Sequence, residues 1–140
     1  MNEEKIDRKI SVIFATDVVD YSLHMEKDET GTVTSLRKYE KFLKESFKKH
    51  GGRLFNTGGD SFMAEFSSAV KAVECAIDFQ NIVKEKNIKP ALCFRIGINA
   101  GDVIVEKKNL LGDGVNVAAR LEQLSQPNGI TISKSIYDYI

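Results

Sequence analysis

Residues 9–16, KISVIFAT, make an apolar, β-branched run that stops at Asp17, the pattern of a strand buried on both faces. Residues 18–25, VVDYSLHM, predict a short helix or turn. From Thr30 and Gly31 a longer amphipathic helix is expected. Val33, Leu36, Phe42, Leu43 and Phe47 recur near helical spacing with Lys and Glu between them, and His50-Gly51-Gly52 supplies a glycine stop. RLFN and DSFMAEF flank Thr57-Gly58-Gly59, which reads as a β-hairpin. Ser67 or Ser68 can cap the next helix, in which Ala69, Val73, Ala76, Ile77 and Val83 fall at helical intervals until Asn87 to Pro90. FRIGINA (94–100) predicts a strand, Asp102 to Glu106 its hairpin partner, and Lys107 to Asn109 a turn. A helix is expected from about Gly114 to Leu124, with Val117, Ala118, Leu121 and Leu124 as its apolar stripe. Pro127-Asn128-Gly129 turns the chain into a last strand, Ile130 to Ser133, and residues 134–140 begin another helix.

The order β-α-ββ-α-β, followed by β-α-β-α, predicts an α+β fold. Two helices on one face of a mainly antiparallel sheet is the ferredoxin-like, palm-type arrangement. No repeat, low-complexity tract or linker interrupts it, so residues 1–140 read as a single domain. A hydrophobic fraction of 42%, with 8 Phe and 4 Tyr, excludes a disordered chain. Twenty basic residues balance twenty acidic ones, which argues against nucleic acid held by bulk charge but leaves room for a local anion site. An RNA-binding sheet is also disfavoured, because strand 94–100 offers Phe94, Ile96 and Ile98 with only Arg95 basic. No run approaches the roughly 18–20 apolar residues of a membrane span. Met1 to Lys9 is charged with no apolar signal region behind it, so the expectation is a soluble, cytoplasmic domain. Cys75 and Cys93 stand in no metal-type spacing and read as reduced packing residues. His24 and His50 have no partner pattern and are expected at the surface.

Three features carry candidate chemistry. Asp17 ends the most apolar strand, where a carboxylate is costly unless paired, hydrogen-bonded or bound to metal. Asp60 follows two glycines at a hairpin that the fold places beside that strand. If the two converge, their oxygens suit Mg²⁺ or Mn²⁺, which would in turn take phosphate oxygens. The alternative is that Asp17 caps the helix beginning near Val18 and Asp60 is a turn residue. Second, the backbone of Val19, Asp20 and Tyr21, at a helix start, could favour an anion such as a triphosphate. Third, in GDGVNVAARLEQL, Asn116, Arg120 and Gln123 fall at i, i+4 and i+7 on a polar face. An amide and a guanidinium one turn apart could bind a sugar and a phosphate, or the face could simply be solvated. Gly112-Asp113-Gly114 upstream allows the backbone a close approach.

Taken together, these segments resemble the class III nucleotide cyclase catalytic domain, the adenylate and guanylate cyclase family. IFATDVVDYSLHMEKDE resembles its first metal block, GGRLFNTGGDSFMAEFSSAVKAVECAIDFQ its second, and FRIGINAGDVIVEKKNLLGDGVNVAARLEQLSQPNGITIS its third, in order from about residue 9 to 140. Gly58-Gly59-Asp60 also resembles the turn of the diguanylate cyclases, but Ser61-Phe62 follows instead of Glu-Phe, and the Asn116/Arg120 helix has no place there.

The resemblance implies a head-to-tail homodimer with active sites at the subunit interface, acting on a purine nucleoside triphosphate with two divalent ions, Mg²⁺ or Mn²⁺. Asp17 and Asp60 would be the metal carboxylates and the Val18 carbonyl a further ligand. Asn116 would orient the ribose, and Arg120 would stabilise the phosphoryl transition state from the opposite subunit. The product would be the 3′,5′-cyclic monophosphate, with pyrophosphate expelled. In adenylate cyclases a Lys four residues before the second metal Asp reads the base; here that position is Asn56, and its partner position is Asn109. Guanylate cyclases commonly put Glu and Cys there. Asn carries a donor and an acceptor and serves either purine, with ATP preferred on the block pattern. The family continues past the helix near Lys134 into strands that supply a phosphate-contacting Lys, whereas this sequence ends at Ile140. Weak or no activity is therefore expected of the 140-residue piece, and the competing expectation is a non-catalytic nucleotide-binding or dimerisation module.

Overall fold

The computed structural model describes residues 6–140. The first strand, β1, runs Asp7–Val18, and from Ser11 to Val18 every residue is buried. This is the behaviour its unbroken apolar sequence predicts. Helix α1 spans Tyr21–Lys27 and α2 spans Glu29–His50. The Asp28 side chain accepts a hydrogen bond from the Gly31 N–H at the start of α2, and Gly51, in the left-handed region, ends it. The hairpin of β2 (Arg53–Gly58) and β3 (Ser61–Phe66) follows. Helix α3, Ala69–Glu85, is capped by Ser68. Next come β4 (Phe94–Glu106), β5 (Asn109–Leu111), α4 (Asp113–Leu124), β6 (Ile130–Ile132) and α5 (Lys134–Tyr137).

The sheet order is β2-β3-β1-β4-β5, antiparallel throughout, with β6 added parallel to β4. The first four of these strands, with α2 and α3, form the expected ferredoxin-like core. Period-two alternation along β1 sorts side chains between two layers. Val12, Phe14 and Val18 face α2 and α3, where Phe14, Phe47, Phe66, Tyr39, Phe79 and Phe94 pack mostly edge-to-face. Ile13 and Ala15 face the opposite side and pack with Val103, Leu110, Val115 and Ala118 under α4. Asp17 continues this second series and therefore points to the α4 side.

Several expectations are corrected. Residues 94–106 form one strand and not a hairpin, because the twelve-residue β1 pairs with it from Asp7↔Val105 to Val18↔Phe94 and carries Gly101-Asp102 straight through. The hairpin partner is β5, so Asn109 lies in a strand and only Lys107-Lys108 turn. The buried face of α4 is Gly114, Val115, Ala118 and Glu122, while Leu124 is 73% exposed. The helix docks too closely for a large stripe: a Cβ on Gly97 would collide with the Glu122 N–H and lie 2.5 Å from the Ala118 carbonyl. His50 is buried, not superficial. Its Nδ1 lies 2.8 Å from the Ser46 carbonyl and its Nε2 2.9 Å from Asp78, which ties the end of α2 to α3. Cys75 is buried, Cys93 is half-buried, and both are free thiols. No helix among the described residues is long and apolar enough to cross a membrane.

Candidate active site

The site forms where β1 ends, beside the β2–β3 turn and the last turn of α4. Asp17 is 7% exposed, a position where an unpaired carboxylate would be strongly disfavoured. Its partner comes from register: Arg95 is directly opposite on β4. The guanidinium grips the carboxylate at two points, Nε donating to Oδ1 at 2.9 Å and Nη2 to Oδ2 at 2.7 Å. That contact pushes Arg95 further above its ordinary range. Gln123 braces the pair. Its Nε2 donates to Asp17 Oδ2 at 3.3 Å, and its Oε1 and main-chain carbonyl accept from Arg95 at 3.3 and 3.4 Å. The same Nε2 donates to Glu122 Oε1 at 3.0 Å.

Glu122 is 4% exposed. Burial, and then the negative charge of Asp17 close by, push its carboxyl up to about 8, so it carries its proton at neutral pH. Asp60 reaches the same place from the turn that follows Gly59, whose φ is +61°. Its Oδ2 accepts the N–H of Val18, the residue after Asp17, at 3.1 Å. Asp60 is held above the ordinary carboxylate range by burial and by the Asp17 charge, against the lowering effect of main-chain N–H groups. Two carboxylates remote in sequence therefore share one electrostatic environment.

The other expected residues are distributed as follows. The Val19 N–H donates to the Cys93 carbonyl at 2.8 Å, so it is already engaged within the fold. Asp20 adopts a left-handed conformation and turns the chain into α1 at Tyr21. Asn116 and Arg120 are both exposed, one turn apart on the outer face of α4. Asn56 is exposed on β2 at a register shift, and Asn109 uses its Oδ1 to accept the Leu110 N–H at 3.0 Å. These two asparagines lie on the opposite sheet edges β2 and β5, which curl toward each other and are joined by Arg53 donating to the Lys108 carbonyl at 2.8 Å.

The donor atoms at Asp17, Asp60 and the Val18 carbonyl are all oxygen, a set that suits a hard divalent cation. Among the described residues no group of three or more His, Cys, Asp or Glu surrounds a metal position. Such an ion would therefore complete its shell with water or substrate oxygens. Sequence reasoning missed Arg95 and Glu122 as parts of this site, and treated Gln123 only as a polar-face residue. A signal for Glu122 existed: Val115, Ala118 and Glu122 fall at i, i+3 and i+7, which puts the carboxyl on the buried face.

A palm-type α+β domain with one aspartate near the end of its central strand and a second at the neighbouring hairpin turn is the class that fold and site define. The family described as "Adenylate and Guanylate cyclase catalytic domain" matches residues 2–140, and the chain belongs to it. The "Putative adenylate cyclase 3" of Rhizobium meliloti (strain 1021) is 43% identical over 145 residues, covering 100% of this chain and 25% of that protein. An "Adenylate cyclase" of Streptomyces coelicolor is 28% identical over 134 residues, covering 94% of this chain and 34% of that one. The chain thus spans only a quarter to a third of these relatives. Among solved structures, an adenylate/guanylate cyclase/hydrolase from Silicibacter pomeroyi superposes with a TM-score of 0.85 at 33% identity, covering 96% of this chain and 81% of that one. The adenylyl cyclase CyaB from P. aeruginosa shares the fold with a TM-score of 0.85 at 24% identity, covering 98% of this chain and 83% of that one.

Proposed function

We propose that this domain is the catalytic unit of a nucleotide cyclase, converting a purine nucleoside triphosphate to its 3′,5′-cyclic monophosphate and pyrophosphate. The observation that carries the reading is the Val18 N–H bond to Asp60, which joins two acidic segments 42 residues apart beside Asp17. Asp17, Asp60 and the Val18 carbonyl would hold two divalent ions, Mg²⁺ or Mn²⁺. When bound, such ions supply activation of the attacking ribose oxygen and charge neutralisation at the leaving pyrophosphate. Asn116 orients the ribose, and Arg120 stabilises charge developing on the α-phosphate. Both are exposed on α4 and act across a homodimer interface, so that each site draws on two subunits and a dimer carries two equivalent sites. The main chain at Asp20 and Tyr21 lies on the phosphate side, and Asn56 and Asn109 face the base. ATP is the preferred substrate, a choice supported by relatives named as adenylate cyclases.

The test is a product assay with ATP and GTP side by side, with Mn²⁺, at a protein concentration that populates the dimer. Absence of cyclic product with either nucleotide from a dimeric, longer form of the protein defeats the catalytic reading. The engaged Oδ1 of Asn109 favours a second reading, a cyclase-homology module that binds nucleotide without turnover. It predicts metal-dependent nucleotide binding in the same assay with no product.

A further inference from the structure

The two carboxylates of the site are not in equivalent states. Asp60 is met by main-chain N–H groups, that of Val18 at 3.1 Å, and, among the described residues, by no cation. Asp17 has both oxygens covered by the Nε and Nη2 of Arg95 at 2.9 and 2.7 Å. The pair is set by strand register and not by a flexible reach, since Asp17 and Arg95 are direct partners across β1 and β4. It is also largely removed from water, with the two side chains 10% and 21% exposed. A guanidinium does not lose its proton in a protein, so this positive charge cannot be switched off by pH; it leaves only by moving. Gln123 opposes that movement from the last turn of α4 through its amide oxygen and its main-chain carbonyl.

We infer that Arg95 is a resident counter-cation for Asp17, a positioning residue that closes this carboxylate to divalent ions until they displace it and thereby sets the affinity of the site for them. The inference rests on the reading of Asp17 and Asp60 as cation ligands. A divalent ion taking the Asp17 oxygens meets a fixed like charge on the same atoms, and binding must include the work of moving the guanidinium aside. Asp60, which makes no salt bridge among the described residues, is the first point of attachment, and Asp17 joins as Arg95 withdraws. Because Gln123 belongs to the helix that carries Asn116 and Arg120, withdrawal of Arg95 also removes two hydrogen bonds between the last turn of that helix and β4, while the packing of Glu122 and Ala118 on Gly97 stays. Ion occupancy is thereby linked to the placement of α4.

The experiment is Mn²⁺ binding to the nucleotide-free protein, read as the free-ion electron paramagnetic resonance signal, with circular dichroism melts to verify folding. Arg95→Gln removes the charge and is expected to bind Mn²⁺ at least tenfold more tightly than the unsubstituted chain. Arg95→Lys keeps the charge but grips one oxygen, and is expected to fall between the two. Asp17→Asn is expected to abolish the tight site. A folded Arg95→Gln protein that binds Mn²⁺ equally or more weakly, while Asp17→Asn still abolishes binding, overturns the counter-cation role and leaves the ligand reading standing. Mn²⁺ binding that is absent from every variant overturns both. If Arg95→Gln does not fold, Gln123→Ala removes the side-chain brace on Arg95 together with the Gln123 hydrogen bonds to Asp17 and Glu122, and is expected to tighten Mn²⁺ two- to threefold; unchanged affinity there also overturns the inference.

Discussion

Glu122 gives the sharpest quantitative test of the site's electrostatics. Its carboxyl is pushed from an ordinary 4.5 up to about 8 by burial and by the neighbouring charge of Asp17. The folded state therefore keeps a proton that the unfolded chain releases. The stability this group contributes is present in full below pH 4.5 and is lost progressively until about pH 8. The slope in that window is about 1.4 kcal/mol per pH unit, so moving from pH 6 to pH 8 costs on the order of 2–3 kcal/mol. For a domain of this size that corresponds to a melting temperature lower by about 6–10 °C. Asp60, whose carboxyl is also held above its ordinary range, acts in the same direction. Glu122→Gln keeps the shape and the contact with Gln123 but cannot titrate. Thermal melts at pH 6, 7 and 8, without divalent ions, are expected to show a steep loss of stability in the unsubstituted chain. The variant should lose much less and be the more stable of the two at pH 8. Equal pH slopes in the two proteins would falsify the assignment of a buried, protonated carboxyl at this position.

Three other substitutions probe separate parts of the proposal. Asp17→Asn should lower cyclic nucleotide formation at least a hundredfold and remove any rise in melting temperature caused by Mn²⁺; a retained Mn²⁺ shift would place the ion elsewhere. Arg120→Ala, at an exposed position, should leave the melting temperature within about 2 °C while lowering kcat about a hundredfold with little change in KM, measured by product chromatography. Gly97→Ala places a methyl group against the backbone of α4, and urea denaturation should show a loss of about 1–3 kcal/mol together with reduced activity, since the helix carrying Asn116 and Arg120 must shift.

What was legible in the sequence follows from where local pattern and tertiary structure agree. The apolar run of β1 and the glycine turn before Asp60 each specify their own geometry, and the core order follows from element order alone. Asp17 and Asp60 could be singled out because a carboxylate beside a buried strand and one beside a glycine turn are both visible locally. The misreadings all depend on distant partners. Gly101 looks like a turn until the length of β1 is known, because a strand continues wherever a partner continues to satisfy its N–H and C=O groups. Leu124 looks like core until Gly97 lets α4 sink so close that alanine and glycine fill the contact and leucine is left outside. His50 looks solvated until α3 brings Asp78 to it. Arg95 is the same case at the site itself. A single cation inside an apolar strand says little until register sets it opposite Asp17, and the register belongs to the sheet, not to either strand. The residues that carry charge to the site could be nominated from sequence, whereas those that balance that charge became visible only through pairing. A search for such counter-charges should therefore begin with the cross-strand and helix-facing neighbours of each nominated carboxylate.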